Sequence, residues 1–271
     1  MLDVRTGDRG PRVVLLQVLL NRRGAGLKVD GIFGPRTGRA VDAARGRLLG
    51  SRGTAADPDL WTALFDEQRL CGVDAFDMGE ERFTRGATIV RSAGSQVVET
   101  GAMCDGIGAV VSGIADRSSP PGSLAVLRTW GHGNRGHWLS FTVGEVVETT
   151  ERDPVLGAQI AAEQRSYVYP GNYDAMSRVL APVRGCFAGV GIYEHHGCSL
   201  GKIPETRRMM GRLADLWGVP VTVAHGTQLI PYTAAAALRF QGQTFTAYPG
   251  GHEAAWIARV LAREPRYCPA P

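Results

Sequence analysis

Residues 190–198, VGIYEHHGC, carry the clearest signal for the fold. This stretch begins as an apolar, β-prone run and ends at Cys198 behind a glycine, which is typical of a buried strand that stops at a sheet edge. A helix is predicted from Pro204 to Trp217, with Gly218 as its stop signal, and the next strand from Val219 to Val223. Strands separated by helices indicate a mostly parallel sheet in an α/β domain.

A second strand upstream ends in the same way. Residues 124–130, LAVLRTW, predict a strand that runs into Gly131-His132-Gly133. Ligands bind outside the carboxyl ends of the strands in an open α/β sheet, so His132 and Cys198 meet there if their strands are parallel neighbours. An imidazole can deprotonate a thiol and stabilise the thiolate. We therefore expect His132 and Cys198 to be catalytic, with the backbone N–H groups of Gly133 and Cys198 facing the oxyanion.

Two motifs carry a family resemblance over about residues 87–230. They are Leu127-x-x-Trp130-Gly131-His132-Gly133 and Ile192-Tyr193-x-x-x-Gly197-Cys198-Ser199-Leu200-Gly201, followed by a helix and a strand. This pattern resembles the caspase-like cysteine peptidase superfamily, which includes gingipain, clostripain and the bacterial CHAT domains. The resemblance implies a caspase-like fold and hydrolysis of a peptide or amide bond. Residues 144–172 have no clear counterpart, and no acid can be assigned to a substrate pocket.

The histidines directly before the cysteine are candidates for supporting roles behind the catalytic pair. His196 shares the face of Cys198 on an extended strand, whereas His195 points away. Each is also compatible with a purely structural role.

The first 66 residues predict a small all-α unit. Apolar residues recur at helical spacing over residues 13–20, and a turn rich in glycine follows at residues 29–35, VDGIFGP. With Gly7-Asp8-Arg9-Gly10, Ala40-Val41 and Leu60-Trp61-x-x-Leu64, these stretches resemble a peptidoglycan-binding domain of the three-helix type. The resemblance implies binding of peptidoglycan in a shallow groove beside the turn, through Asp30, Gly31, Phe33 and Gly34. The same residues also suit a purely architectural role, and such domains can serve as docking modules.

The domain organisation follows from these patterns. We expect a peptidoglycan-binding-like domain over residues 1–66, a linker or domain entry over residues 67–86, and the caspase-like α/β domain over residues 87–271. Within the last of these, residues 88–91 are predicted as a short strand, because the run is β-prone.

Charge and composition exclude several classes of protein. Residues 1–70 hold 12 basic and 8 acidic side chains, and residues 71–271 hold 18 of each, so the whole net charge of +4 lies in the N-terminal part. This is too weak for a nucleic-acid binder, although it allows a small preference for anionic polymers. No run approaches the ~20 apolar residues of a membrane span. Residues 13–20 lack the flanks of a signal peptide, so we expect synthesis in the cytoplasm and delivery to the wall by lysis or a dedicated machine.

Three alternatives remain open. A non-catalytic adaptor of a phage-tail-like assembly would use both domains to dock other subunits. An L,D-transpeptidase would match His196-Gly197-Cys198, although Ser199 and Leu200 depart from that pattern. A zinc site could use the histidines and Cys198, but no compact ligand pair such as His-x-x-x-His occurs, so neither a metal nor a cofactor is expected. The predicted partners are peptidoglycan, a protein or peptide substrate, and the subunits of a larger assembly.

Overall fold

The computed structural model describes residues 2–78, 81–100, 106–131, 139–140, 152–155, 157, 167–228 and 239–264. The helices are α1 Pro11–Asn21, α2 Pro35–Leu49, α3 Pro58–Gln68, α4 Glu81–Ser92, α5 Ile107–Arg117, α6 Tyr173–Leu180, α7 Pro204–Trp217 and α8 Glu253–Arg263. The strands are β1 Cys71–Asp77, β2 Gln96–Thr100, β3 Leu124–Trp130, β4 Leu139–Ser140, β5 Tyr167–Val168, β6 Phe187–His196, β7 Val221–Ala224 and β8 Thr244–Ala247.

Six of the strands form one sheet in the order β2-β1-β3-β6-β7-β8. Only β8 runs antiparallel, beside β7 at the sheet edge. The predicted class, N-terminal helices followed by an α/β domain with a mostly parallel sheet, is therefore confirmed. The chain leaves β1 for the edge strand β2 and returns to β3 on the other side of β1, which creates a switch point at the carboxyl ends of β1 and β3.

The N-terminal helices cover one face of the sheet. Every residue of α1 except Arg12 is buried, so this helix is surrounded on all sides and shows no apolar stripe. Val126 of β3, Ile192 of β6 and Trp256 of α8 belong to the same apolar core as the residues of α1. The N-terminal unit and the sheet are therefore packed as neighbouring layers.

Residues 67–86, expected as a linker or domain entry, belong to the sheet and its flanking helices and do not form a linker. They contain the end of α3, the whole of β1 and the start of α4. Strand β1 pairs with both β2 and β3 in the interior of the sheet. The polar residue in its middle, Asp74, made the run look like a loop, but this carboxylate is buried beside Arg128. The sequence pattern alone therefore does not reveal this central strand, because its buried charge is paired with a residue of another strand.

The short strand expected at residues 88–91 is also corrected, because these residues lie within α4. Phe83, Ala87 and Val90 recur at helical spacing and pack on β1 and β2, so burial of this stripe outweighs the β preference of the local run. The strands predicted at residues 124–130 and 190–196 and the helix at residues 204–217 are confirmed. Among the described helices, each is too short or too polar to cross a bilayer.

Candidate active site

Cys198 lies two residues beyond the end of β6, where the backbone turns sharply. Ser199 adopts a left-handed conformation with φ of 61°, and its N–H donates to the Gly226 carbonyl at 2.9 Å. The half-buried Cys198 sulfur accepts the backbone N–H of Gln228 at 3.3 Å. The thiol can in turn donate to the Gln228 carbonyl at 3.7 Å, so both backbone groups of Gln228 hold the sulfur in place.

The loop that supplies this donor is fastened to the chain before β8. The side-chain amide of Gln228 donates to the Gln241 carbonyl at 2.9 Å, and its oxygen accepts the Gln241 N–H at 2.9 Å. Gln241 directly follows Phe240, whose ring stacks on His196. The loop after β7 and the segment before β8 thus connect the surroundings of the sulfur to His196 at the end of β6.

His132 and Gly133 lie outside the described residues, so the structure gives no distance between the His132 ring and the Cys198 sulfur. The strands that lead to the two residues are parallel neighbours, in a register that pairs Trp130 with His196. His132 follows Trp130 by two residues in the sequence, as Cys198 follows His196. The adjacency of strands that the predicted pairing requires is therefore present.

His196 is held in a stack of aromatic rings. Its ring lies 4.1 Å from the Trp130 ring and 4.2 Å from the Phe240 ring, and its Nε2 is 3.3 Å from a Glu194 carboxylate oxygen. Burial lowers the pKa of His196 to about 4, opposed by Glu194 and assisted by the nearby cations Arg128 and Arg12. His196 is therefore neutral at neutral pH, and its contacts fix the end of β6.

His195 points to the opposite face of the sheet. It is fully buried, and its Nδ1 is 2.7 Å from the Thr129 hydroxyl, which lies 2.8 Å from the hydroxyl of Tyr193. Burial raises the pKa of Tyr193 well above its usual range, so its hydroxyl keeps its proton. This chain of three polar groups joins β3 to β6 within the core.

A row of buried charges was missed by the sequence analysis. Asp74, Arg128 and Glu194 occupy paired positions on β1, β3 and β6. Arg128 donates to Asp74 at 2.7 Å, and Trp130 donates to the same carboxylate through its indole N–H at 2.6 Å. The signal was present in the sequence: each of these strands carries a charged residue inside a run of mostly apolar residues.

Glu194 is paired with a residue of the first helix. Arg12 of α1 donates to both of its carboxylate oxygens, at 2.5 and 2.6 Å. Burial opposes ionisation of Glu194, but Arg12 and His196 outweigh this effect and hold the pKa of the carboxyl well below its usual range. A cation from the N-terminal unit therefore neutralises an acid two residues before the end of β6.

The pair lies beside a cavity of about 230 Å³ between the N-terminal segment and the carboxyl ends of β6 and β7. Arg12, Glu194, Thr222 and Phe240 contribute to its wall. Arg239 also lines the cavity and forms ion pairs with Asp3 and Asp8. Each charged pair in this wall joins the N-terminal segment to the α/β domain.

The turn residues expected to bind peptidoglycan are tightly held. The Asp30 carboxylate accepts the Gln17 amide and the Ile32 N–H, both at 3.0 Å, and Phe33 is 1% exposed. Gly31 is buried with φ of 67°, and a Cβ there would lie 3.2 Å from Val14. Asp30, Gly31 and Phe33 thus build the turn, while Gly34 precedes α2 and is half-buried.

The other cysteines have different surroundings. Cys71 and Cys186 are free thiols, and burial raises the pKa of each. Cys104 and Cys268 lie outside the described residues. Within the part of the chain that the structure describes, no cluster of three or more histidine, cysteine or acidic residues could hold a metal ion.

A family model described as "Predicted Peptidoglycan domain" matches residues 12–87. This match supports a peptidoglycan-binding domain in the N-terminal part of the chain. This peptidoglycan-binding domain suggests a protein associated with the cell wall. The matched range extends past the expected boundary at residue 66, through β1 and into α4. No curated protein and no solved structure matches the chain.

Proposed function

We propose that this protein is a cell-wall-associated hydrolase, in which the peptidoglycan-binding domain is joined to a caspase-like domain that cleaves a peptide or amide bond. The observation that carries the proposal is the register of β3 and β6. These parallel neighbours pair Trp130 with His196, and two residues further along the chain stand a histidine and a cysteine, each behind a glycine. Carboxyl strand ends are where α/β sheets bind ligands.

The reaction that these residues can perform is acyl transfer through a thioester. His132 takes the proton of Cys198, and the sulfur attacks the carbonyl carbon of the substrate. Collapse of the tetrahedral intermediate breaks the C–N bond, and His132 returns the proton to the leaving amine. Water then hydrolyses the thioester. The backbone N–H groups of Gly133 and Cys198 stabilise the oxyanion in both steps.

The surroundings of β6 support a precisely positioned sulfur. Arg12 binds Glu194, and the rings of Trp130 and Phe240 enclose His196. Glu194 and His196 precede Cys198 by four and two residues. The Gln228 N–H donates to the Cys198 sulfur itself. Catalytic groups need such support because small displacements from the reactive geometry reduce the rate strongly. The helix α7 and the strand β7 follow the cysteine in the order expected of the caspase-like pattern.

The transpeptidase alternative has less support. It expects a β-rich domain, whereas six of the described strands form a mostly parallel sheet flanked by helices. That family's upstream His-Gly also lies much nearer the cysteine in sequence, whereas His132 and Cys198 are 66 residues apart.

Selective alkylation tests the proposal. The full-length protein is treated with limiting iodoacetamide at pH 7, and each cysteine-containing peptide is quantified by mass spectrometry. Cys198 is expected to react at least about tenfold faster than Cys71 and Cys186, because burial raises the pKa of both of these thiols. His132→Ala should remove this advantage, whereas His252→Ala, at an exposed histidine, should keep it.

Turnover is measured as the release of amines from purified sacculi and from a mixed peptide library. The unmodified chain is compared with Cys198→Ala, His132→Ala and His196→Ala. Cys198→Ala and His132→Ala must both abolish turnover. Equal alkylation of the three thiols, unchanged by His132→Ala, would contradict the hydrolase and favour the non-catalytic adaptor. Loss of turnover in His196→Ala alone would favour the transpeptidase.

A further inference from the structure

A groove of about 440 Å³ lies on the outer side of the peptidoglycan-binding domain, between the loop that follows α1 and the helix α2. Its loop side is formed by residues 24–27, GAGL. Its helix side is formed by Arg36, Arg39, Ala40, Ala43 and Arg47. We call this surface the arginine groove.

The three arginines lie on one side of α2. At 100° per residue, positions 36, 39 and 47 fall within an arc of roughly 80°. Along the axis, Arg36 and Arg47 are separated by about 16 Å. A single small anion cannot bridge this distance, so the row suits a ligand with several negative groups.

No negative charge of the protein neutralises this row. No acidic residue lines the groove, and within the described residues none of the three arginines makes a hydrogen bond or ion pair. Other arginines of the same domain are paired: Arg45 with Asp57, and Arg52 with Asp42. The first turn of α2 also lacks an acidic residue, so the helix N-terminus adds positive potential at the Arg36 end.

The floor of the groove is built from small residues. Ala40 and Ala43 lie between the arginines on the helix. Across from them, Gly24 and Gly26 have positive φ, and a Cβ at either position would meet nothing within 4 Å. A ligand chain can therefore approach the backbone closely while long cationic side chains reach over it.

We propose that the arginine groove binds the carboxylate groups on the peptide stems of peptidoglycan. This inference rests on the proposed wall binding and adds the chemistry of recognition. Guanidinium groups bind carboxylates through two parallel hydrogen bonds, which gives both charge and orientation. The neutral sugars of the glycan need no cation, whereas the peptide stems carry free carboxylates. Binding through the groove weakens with salt, because exposed ion pairs are screened.

The experiment measures binding of the full-length chain to purified sacculi from which phosphate-containing polymers have been removed by acid. The triple variant Arg36→Gln, Arg39→Gln, Arg47→Gln is compared with the control Arg5→Gln, Arg69→Gln, Arg178→Gln, which removes the same charge from exposed arginines outside the groove. Three exposed charge contacts together account for about tenfold in affinity. The groove variant should lose about this factor and most of its salt dependence, and the control should bind like the unmodified chain.

Amidation of the sacculus carboxylates is the second arm. It should weaken the unmodified chain about as much as the groove variant is weakened, with no further loss when both changes are combined. Equal binding by the two triple variants would overturn the groove proposal while leaving wall binding intact. Binding that disappears when the phosphate polymers are removed would overturn the carboxylate assignment. Failure of the unmodified chain to bind any sacculus preparation would overturn the proposed wall binding itself, and the groove proposal with it.

Discussion

The two faces of the sheet differ at neighbouring positions of the same strands. On one face, Val73, Leu127, Tyr193 and Val221 form a row across four strands, in an apolar core covered by α5, α6 and α7. One residue further along, Asp74, Arg128, Glu194 and Thr222 form the parallel row on the face toward the N-terminal helices.

The difference shows how the two parts of the chain depend on each other. Parallel sheets are usually apolar on both faces, because both faces are covered. Here Arg128 is neutralised by Asp74 within the sheet, whereas Glu194 takes its bidentate cation from α1. Arg12 therefore makes the peptidoglycan-binding domain part of the electrostatic balance of the α/β domain, beyond the apolar contacts that they share.

The largest effect on stability is expected from Arg12→Ala. The substitution leaves Glu194 buried without its bidentate cation, and breaking a buried pair in this way costs about 3 kcal/mol or more in the free energy of unfolding. Urea denaturation of the full-length chain measures it. The matched control is Arg52→Ala, because Arg52 is 82% exposed in its pair with Asp42 and should cost less than about 1 kcal/mol. Equal losses in the two variants would mean that the charged row does not need the N-terminal helix.

The second test uses pH. Burial lowers the pKa of His196 from 6.5 to about 4. Between these values the unfolded chain binds a proton that the native chain does not, so the free energy of unfolding falls as the pH is lowered, by up to roughly 3 kcal/mol. Glu194, whose pKa is also depressed, adds a further loss as the pH falls below its ordinary value of 4.5. Urea midpoints measured from pH 7 to 4 follow this change.

His196→Phe keeps a ring between Trp130 and Phe240 but removes the titrating group, and it should flatten the dependence between pH 6.5 and 4.5. His225→Phe is the control. The pKa of His225 is also lowered, but its ring lies in the loop after β7 and outside the charged row, so this variant should keep most of the pH dependence. A slope that persists in His196→Phe would place the titration elsewhere.

The smallest effect is expected on the apolar face. Tyr193→Phe removes a buried hydroxyl that bonds Thr129 at 2.8 Å, while Thr129 keeps its contact with His195. The loss should be about 1 kcal/mol in the free energy of unfolding, with no change in its pH dependence from pH 7 to 4. A loss as large as that of Arg12→Ala would show that the polar chain on this face matters as much as the charged row.

Much of the fold could be predicted from local sequence. The runs at residues 124–130 and 190–196 are apolar enough to form strands in almost any context, and α7 carries its own proline start and glycine stop. The ends of these two strands also pointed to the edge at which Cys198 lies. Strand β1 and helix α4 were missed because Asp74 needs a partner 54 residues away to be buried, and because the apolar stripe of α4 competes with a β-prone run.

Local sequence was enough to predict the strands at residues 124–130 and 190–196, the helix at residues 204–217 and the three-helix character of the first 66 residues. It also showed the glycine-flanked histidine and cysteine. These features depend on side-chain periodicity and on backbone preferences of glycine and proline, which act over a few residues. The packing of α1 on the sheet and the pairing of Arg12 with Glu194, 182 residues away, follow from the three-dimensional fold and are not visible in the local sequence. Such a pair forms because a charge buried by packing needs a counter-charge, wherever in the chain that residue stands.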